Sequence, residues 1–204
     1  MIVIGLTGSV GMGKSTTAAM FAQLGIPVLD ADAVVHRLQG PRGRALSAIE
    51  QRFPGTTGAQ GLDRAAMGRI VFDDPQARRA LQDIMFPLVA SERARWMSQQ
   101  HRAGASIVLL DIPLLFESGM DRLCDLTCVV WSPAFLQAKR VLRRPGMTAE
   151  RLRAIRSAQM PVHDKRRRAD ISIPTGLGRA VTRRHVRKLL ACLRRRPLSG
   201  CPHA

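Results

Sequence analysis

Apolar residues recur along this chain with two different periods. Unbroken runs starting at Ile2, and spanning Ile26 to Leu29, Ser106 to Leu110, Leu126 to Trp131 and Ala169 to Ile173, read as short strands buried on both faces. Ala18, Ala19, Phe21 and Leu24 follow a helical period, and Gly25 is placed to cap that helix at its C-terminus. From Val34 to Ala103 the pattern is helical without a strand. Leu38 to Pro41 breaks the first of these helices, and Ala45 to Phe53 forms another. Pro54 to Gly61 is a loop, and Leu62-Asp63-Arg64 opens a helix to Phe72. Asp74-Pro75 caps the next, which Pro87 interrupts or restarts. Pro133 to Arg143 is helical, and Pro145-Gly146 and Pro161 divide the stretch that follows into two helices and a return. A final helix, Arg179 to Arg196, carries Val181, Val186, Leu189, Leu190 and Leu193 on one face and stops before Pro197. Strands alternating with helices predict an α/β fold with a parallel sheet.

The turn after the first strand changes this from a fold to a candidate chemistry. Gly8, Gly13, Lys14 and Ser15 match G-x-x-x-x-G-K-[ST], with Gly11 as a further glycine inside the turn. Glycines admit backbone conformations barred to other residues, so N–H groups from Val10 to Ser15 are expected to converge on a phosphate, aided by the positive end of the following helix. Lys14 is then placed against the β- and γ-phosphates of a nucleotide, and the Ser15 hydroxyl is a ligand for Mg²⁺.

Carboxylates at strand ends extend the site, because ligands of open α/β sheets bind outside the carboxyl ends of the strands. Asp30 and Asp32 follow the second strand. One is expected to take a proton from an attacking hydroxyl, the other to help hold Mg²⁺ or the acceptor. The structural alternative is that Asp32 caps the helix starting at Ala33. Asp111 follows the run SIVLL directly, the arrangement that holds Mg²⁺ through its water shell. The basic stretch Lys139 to Arg168 is suited to a flap that closes over a nucleotide, with Arg140 and Arg144 as the arginines assigned to the phosphates. Pro174-Thr175-Gly176 is the candidate wall of a base pocket.

The formal net charge of +17 would fit a nucleic-acid-binding protein, but its distribution argues otherwise. From Arg140 to Arg196 there are 18 lysines and arginines against Glu150, Asp164 and Asp170, so 15 of the 17 charges lie in the last third. That third has almost no aromatic residues on which bases could stack. No specific nucleic acid partner is expected, and the field attracts phosphorylated small molecules as readily. No apolar run approaches the roughly 18 residues that a membrane helix needs. The chain enters a strand at once, which argues against a leader peptide, and its four cysteines lack metal-site spacing. A cytoplasmic protein with reduced cysteines and no membrane partner is expected, as a monomer or weak homo-oligomer.

IGLTGSVGMGKST (Ile4 to Thr16), LGIPVLDAD (Leu24 to Asp32), LDRAAMGRIVFDDP (Leu62 to Pro75), DIPLLFESG (Asp111 to Gly119) and the series Gln159, Lys165, Ala169-Asp170 together resemble the dephospho-coenzyme A kinases. These enzymes phosphorylate the ribose 3′-hydroxyl of dephospho-CoA with ATP in the last step of CoA synthesis. The resemblance implies a three-layer P-loop kinase fold with a five-stranded parallel sheet, a helical insertion and a lid. On that basis a discontinuous nucleotide-binding core spans 1–35, 105–139 and 169–196, a helical CoA-binding insertion 36–104, a lid 140–168 and a flexible tail 197–204. It also implies ATP as co-substrate with Mg²⁺. Asp32 is then the candidate base with Asp30 as second candidate, Lys14 and Arg140 stabilise charge, and Ser15 and Asp111 serve the metal. Gly8, Gly11, Met12, Gly13, Lys14, Ser15, Thr16 and Thr175 contact the nucleotide. Two departures stand out: Phe86-Pro87 replaces His-Pro, and Pro174-Thr175-Gly176 replaces a turn that usually holds asparagine, leaving adenine to backbone groups or Thr175. Another small-molecule P-loop kinase would share the loop, Asp111 and lid, but not DIPLLFE. A GTPase is disfavoured because the chain has no asparagine for an N-K-x-D motif.

Overall fold

The structure, a computed structural model, describes residues 1–195. The expectations for Arg196, Cys201 and the tail 197–204 lie outside them. In chain order the elements are β1 (Ile2–Thr7), α1 (Lys14–Gln23), β2 (Val28–Asp30), α2 (Ala31–Gln39), α3 (Leu46–Arg52), β3 (Thr57–Gly58), β4 (Gly61–Leu62), α4 (Arg64–Asp73), α5 (Pro75–Arg102) and β5 (Ile107–Asp111). A 3₁₀ turn (Met120–Leu123), β6 (Leu126–Trp131), α6 (Ala134–Leu142), α7 (Ala149–Ser157), α8 (Val162–Arg168), β7 (Ile171–Pro174) and α9 (Arg179–Arg195) follow.

The five apolar runs form one parallel sheet in the order β2-β5-β1-β6-β7, as expected of an α/β fold. β1 lies between β5 and β6, with Leu6 level with Asp111 and Thr7 level with Val129. This register brings the end of β1, where the glycine turn starts, beside the carboxylate that ends β5. β1 and β5 are apolar on both faces because the sheet is covered from both sides. Phe21 of α1 and Val186, Leu189, Leu190 and Leu193 of α9 join Ile4, Leu6, Leu109 and Val130 of the strands in a single core.

The chain divides into two compact units, residues 1–28 with those from 104 onward, and residues 29–103. The second unit has its own core, in which Val34 and Leu38 of α2, Ile49 of α3, Met67 of α4 and Met85 of α5 are buried together. Asp63 and Asp74 cap α4 and α5, each accepting two backbone N–H bonds at 2.7–3.0 Å.

Two local expectations are corrected here. The loop Pro54 to Gly61 contributes to a small antiparallel hairpin, β3 with β4, closed by Thr57 opposite Leu62. Pro87 neither ends nor restarts a helix: α5 runs through it for 28 residues. An internal proline costs about 3 kcal/mol, but Ile84, Met85, Leu88 and Val89 on either side of it all pack on the same core, which holds both halves of the helix in line. Cys124 and Cys128 are reduced as expected, whereas Cys192 is disulfide-bonded and departs from that expectation.

Candidate active site

The glycine turn is held from behind by its carbonyls. Gln137 Nε2 of α6 donates to Val10 O at 2.8 Å, Arg140 to Gly11 O at 3.4 Å, and the Thr175 hydroxyl to Met12 O at 2.6 Å. In a planar trans peptide the carbonyl and the next N–H point opposite ways. Bracing Val10 and Met12 therefore turns the N–H groups of Gly11 and Gly13 toward the other side. Gly11 (φ 72°) and Gly13 (φ 88°) adopt left-handed backbone that only glycine takes without strain. A Cβ at Gly11 would also lie 2.4 Å from Val141, and one at Gly8 2.3 Å from Val130, so the turn lies flush on β6 and α6.

Helix α1 begins at Lys14 with no side-chain cap and no acidic residue in its first turn. Its first-turn N–H groups and positive dipole are left to an external anion, with Ser15 and Thr16 at its start. The Met12 N–H donates to Ser9 O within the turn at 3.1 Å, and its buried sulfur accepts from Ser132. Both contacts help shape the loop.

Lys14 and Asp111 form the centre of the site. Lys14 Nζ donates to Asp111 Oδ1 at 2.6 Å, with side chains 14% and 4% exposed. A carboxylate this buried needs a cation or strong hydrogen bonds to remain ionised. The Thr7 hydroxyl donates to Pro113 O at 2.9 Å and ties the end of β1 to the chain beyond Asp111. A hydroxyl beside a carboxylate suits Mg²⁺, which takes one or two protein oxygens and fills its shell with phosphate and water. Asp111 and the Ser15 hydroxyl supply oxygens of the type that such an ion takes. Among the described residues no group of three or more His, Cys, Asp or Glu forms a metal cage.

A cavity of about 380 Å³ opens beside the turn, lined among others by Gly13, Thr16, Arg140, Arg144, Thr175 and Arg179. Arg140 donates to Thr175 O at 2.8 Å and to Gly11 O, so it binds the β7 turn to the phosphate loop while lining the cavity. Helix α6 continues through Arg140 to Leu142, and the segment from residue 140 therefore starts inside that helix. The Thr175 hydroxyl proton faces the Met12 and Trp131 carbonyls. Thr175 is a brace for Gly13, against which it packs.

In the other unit, Asp30 caps α2 by accepting from Ala33 N at 3.1 Å. The capping role weighed for Asp32 thus belongs to Asp30. Asp32 lies exposed in the first turn of α2 and makes no hydrogen bond or ion pair among the described residues. Phe86, in α5 of the same unit, is also exposed.

Three polar groups went unassigned to the site in the sequence. Gln137 is buried under the loop; its signal is a polar residue one turn before buried Val141 on the core stripe of α6. Asp170 accepts both the N–H and hydroxyl of Thr127 at 2.7 Å, locking β7 to β6. Lys165 is fully buried, bonds Glu117 at 2.8 Å and Pro113 O at 3.1 Å, and so holds the loop after Asp111 to α8. Partial burial works against ionisation of Glu117, but the Lys165 ammonium and the Met160 N–H outweigh it and hold its carboxyl below the ordinary value of 4.5. A depressed carboxyl stabilises the fold above its unfolded pKa, and that stability is lost as pH falls through the folded value. Glu117→Gln is expected to cost about 3 kcal/mol at pH 7 by stranding a buried ammonium, and to flatten the acid limb of stability below pH 4.5. Chemical denaturation at pH 7 and pH 3.5 measures both; an unchanged acid limb would take the pair out of the acid response.

The family model described as CoaE, dephospho-CoA kinase, matches residues 2–176. The chain belongs to the dephospho-CoA kinase family. It is 50% identical over 198 residues to a dephospho-CoA kinase of Novosphingobium aromaticivorans, covering 97% of this chain and 98% of that one. Its structure is similar to that of TT1252 from Thermus thermophilus, with TM-score 0.82 and 37% identity over 94% of this chain and 97% of that one. The fold is also that of a dephospho-CoA kinase from Campylobacter jejuni, with TM-score 0.69 and 24% identity over 93% and 95% of the two chains. The phosphate loop, Asp111 and the Glu117–Lys165 pair all lie inside the segment that the dephospho-CoA kinase family model covers.

Proposed function

We propose that this protein transfers the γ-phosphoryl group of ATP to the ribose 3′-hydroxyl of dephospho-CoA, giving coenzyme A and ADP. The observation that carries this reading is the Lys14–Asp111 pair under an uncapped α1, in a chain of the dephospho-CoA kinase family. The nucleotide's phosphates take the place of a cap on α1 and draw Lys14 to their oxygens. Arg140 faces the same cavity and adds positive charge where negative charge spreads over the transferring group. The 3′-oxygen forms a bond to the γ-phosphorus as the bond to the β-bridging oxygen breaks, and the 3′-hydroxyl proton passes to Asp32 and then to solvent. Ser15 and Asp111 would hold Mg²⁺, which would supply positive charge against the nucleotide's phosphates.

In this reading residues 36–104 bind the CoA moiety, residues 140–168 form a lid, and adenine contacts backbone groups of the cavity. It also takes the protein to be cytoplasmic, a monomer or weak homo-oligomer, with no specific nucleic acid partner. No helix among the described residues is long and apolar enough to cross a membrane. The test is to incubate purified protein with ATP, Mg²⁺ and dephospho-CoA and to read the products by mass spectrometry. One added phosphoryl group at the 3′ position is the expected result. ATP binding without that product would overturn the acceptor, and nucleoside monophosphates and sugars would then be tried.

A further inference from the structure

Among the described residues Gln137 is the one buried amide in contact with the phosphate loop, and both ends of it are engaged. Nε2 donates to Val10 O at 2.8 Å. Oε1 accepts from Arg156 twice, from Nε at 2.9 Å and from the terminal nitrogen at 2.6 Å, and the same terminal nitrogen reaches Ala134 O at 3.2 Å. Arg156 belongs to α7, which among the described residues makes no hydrogen bond to the loop itself.

An amide has two ends that are alike in shape and opposite in hydrogen bonding. Arg156 offers only donors, so it forces the Gln137 oxygen toward α7 and the NH₂ toward Val10. Two charge-assisted bonds to one oxygen also polarise the amide and make its N–H a stronger donor. The Val10 carbonyl is thereby drawn back onto α6, and the planar Val10–Gly11 peptide aims the Gly11 N–H the opposite way. Without Arg156 the Val10 carbonyl alone orients the amide, whose oxygen loses both charged donors and whose N–H becomes a weaker and less firmly held donor.

We propose that Gln137 is a positioning residue for the phosphate loop and Arg156 its latch, so that the seating of α7 sets the direction of the Gly11 N–H and, with it, the affinity for nucleotide phosphates. Coupling of this kind is reciprocal: bound phosphates tighten the seating of α7 by the factor with which that seating tightens phosphates. Arg156 acts through Gln137 and touches no nucleotide. The inference rests on the loop binding ATP but not on which acceptor receives the phosphoryl group.

The test is a double-mutant cycle on ATP affinity, measured by titration calorimetry in Mg²⁺ without acceptor, using Gln137→Leu, Arg156→Ala and both together. Each single variant is expected to weaken ATP about tenfold, the cost of a lost hydrogen bond to a charged group, and the double variant no more than Gln137→Leu alone. Amide hydrogen exchange of residues 9–14 in the free protein is expected to quicken in Arg156→Ala and to be partly restored in Arg156→Lys. Unchanged affinity and exchange in Arg156→Ala would overturn the proposal, as would effects that multiply in the double variant, since Arg156 would then act on the nucleotide by itself. Arg156 is exposed on α7, so if Gln137→Leu fails to fold, the Ala and Lys variants at 156 decide the matter on the same two readouts. Normal ATP affinity in a protein that does not phosphorylate dephospho-CoA would sink the acceptor assignment and leave this cycle intact.

Discussion

Lys14→Met is expected to lower turnover by about two to three orders of magnitude, the range for removal of a preorganised electrostatic group. The side chain keeps its length and apolar stem and loses an ammonium that bonds Asp111 at 2.6 Å. Two consequences follow from that single loss. The transferring phosphoryl group is deprived of a cation in a partly desolvated site, where charge counts for more than in water. Asp111 is only 4% exposed, and removing one partner of a buried ion pair typically costs about 3–5 kcal/mol. The two effects separate by experiment. Lys14→Met with Asp111→Asn leaves neither member of the pair, so its melting temperature is expected to recover, while turnover stays low in both variants because Asp111 is also assigned to Mg²⁺. Thermal denaturation and steady-state kinetics on the two variants measure this. If turnover recovered along with stability, Lys14 would be a structural cation and not part of phosphoryl transfer.

Asp32→Asn is expected to cut turnover by about two orders of magnitude or more, as loss of a general base does, with ATP affinity and stability unchanged. The substitution is isosteric, and the residue is exposed at the start of α2 without a hydrogen bond among the described residues. Surface changes of that kind usually shift stability by less than about 0.5 kcal/mol. Calorimetric ATP binding, denaturation and steady-state kinetics together give the readout. Full turnover in Asp32→Asn would remove it as base and leave Asp30 to be tested. Asp30→Asn is informative there because asparagine caps a helix about as well as aspartate; the bond to Ala33 N survives and only the basicity is lost.

The strands, the glycine turn, Asp111 and the caps at Asp63 and Asp74 were all legible in the sequence, because each rests on neighbours within a few residues. The length of α5 was not. Pro87 read locally as a break, and the apolar residues on both of its sides seat the helix on one core. The hairpin β3–β4 escaped because two-residue strands are too short to show an alternation. Asp30 and Asp32 lie two residues apart, and which of them caps α2 depends on where the helix starts, a boundary set by one or two residues.

The site divides along the same line. That a phosphate would meet the turn at Gly8 to Ser15 follows from local backbone freedom, helix polarity and the residue types alone. Which N–H groups face it does not follow, since that depends on Gln137, Arg140 and Thr175 drawing three carbonyls back from 127 to 163 residues away in the chain. The sequence by itself determined the strand order's ingredients, the loop chemistry and the family. The tertiary structure decided that Lys14 rests on Asp111, that the Thr175 hydroxyl and Met12 N–H are committed within the protein, and that Gln137 carries the link to Arg156. A hydrogen bond needs only a few tenths of an ångström of error to be lost, and such positions are set by packing of distant segments rather than by spacing along the chain.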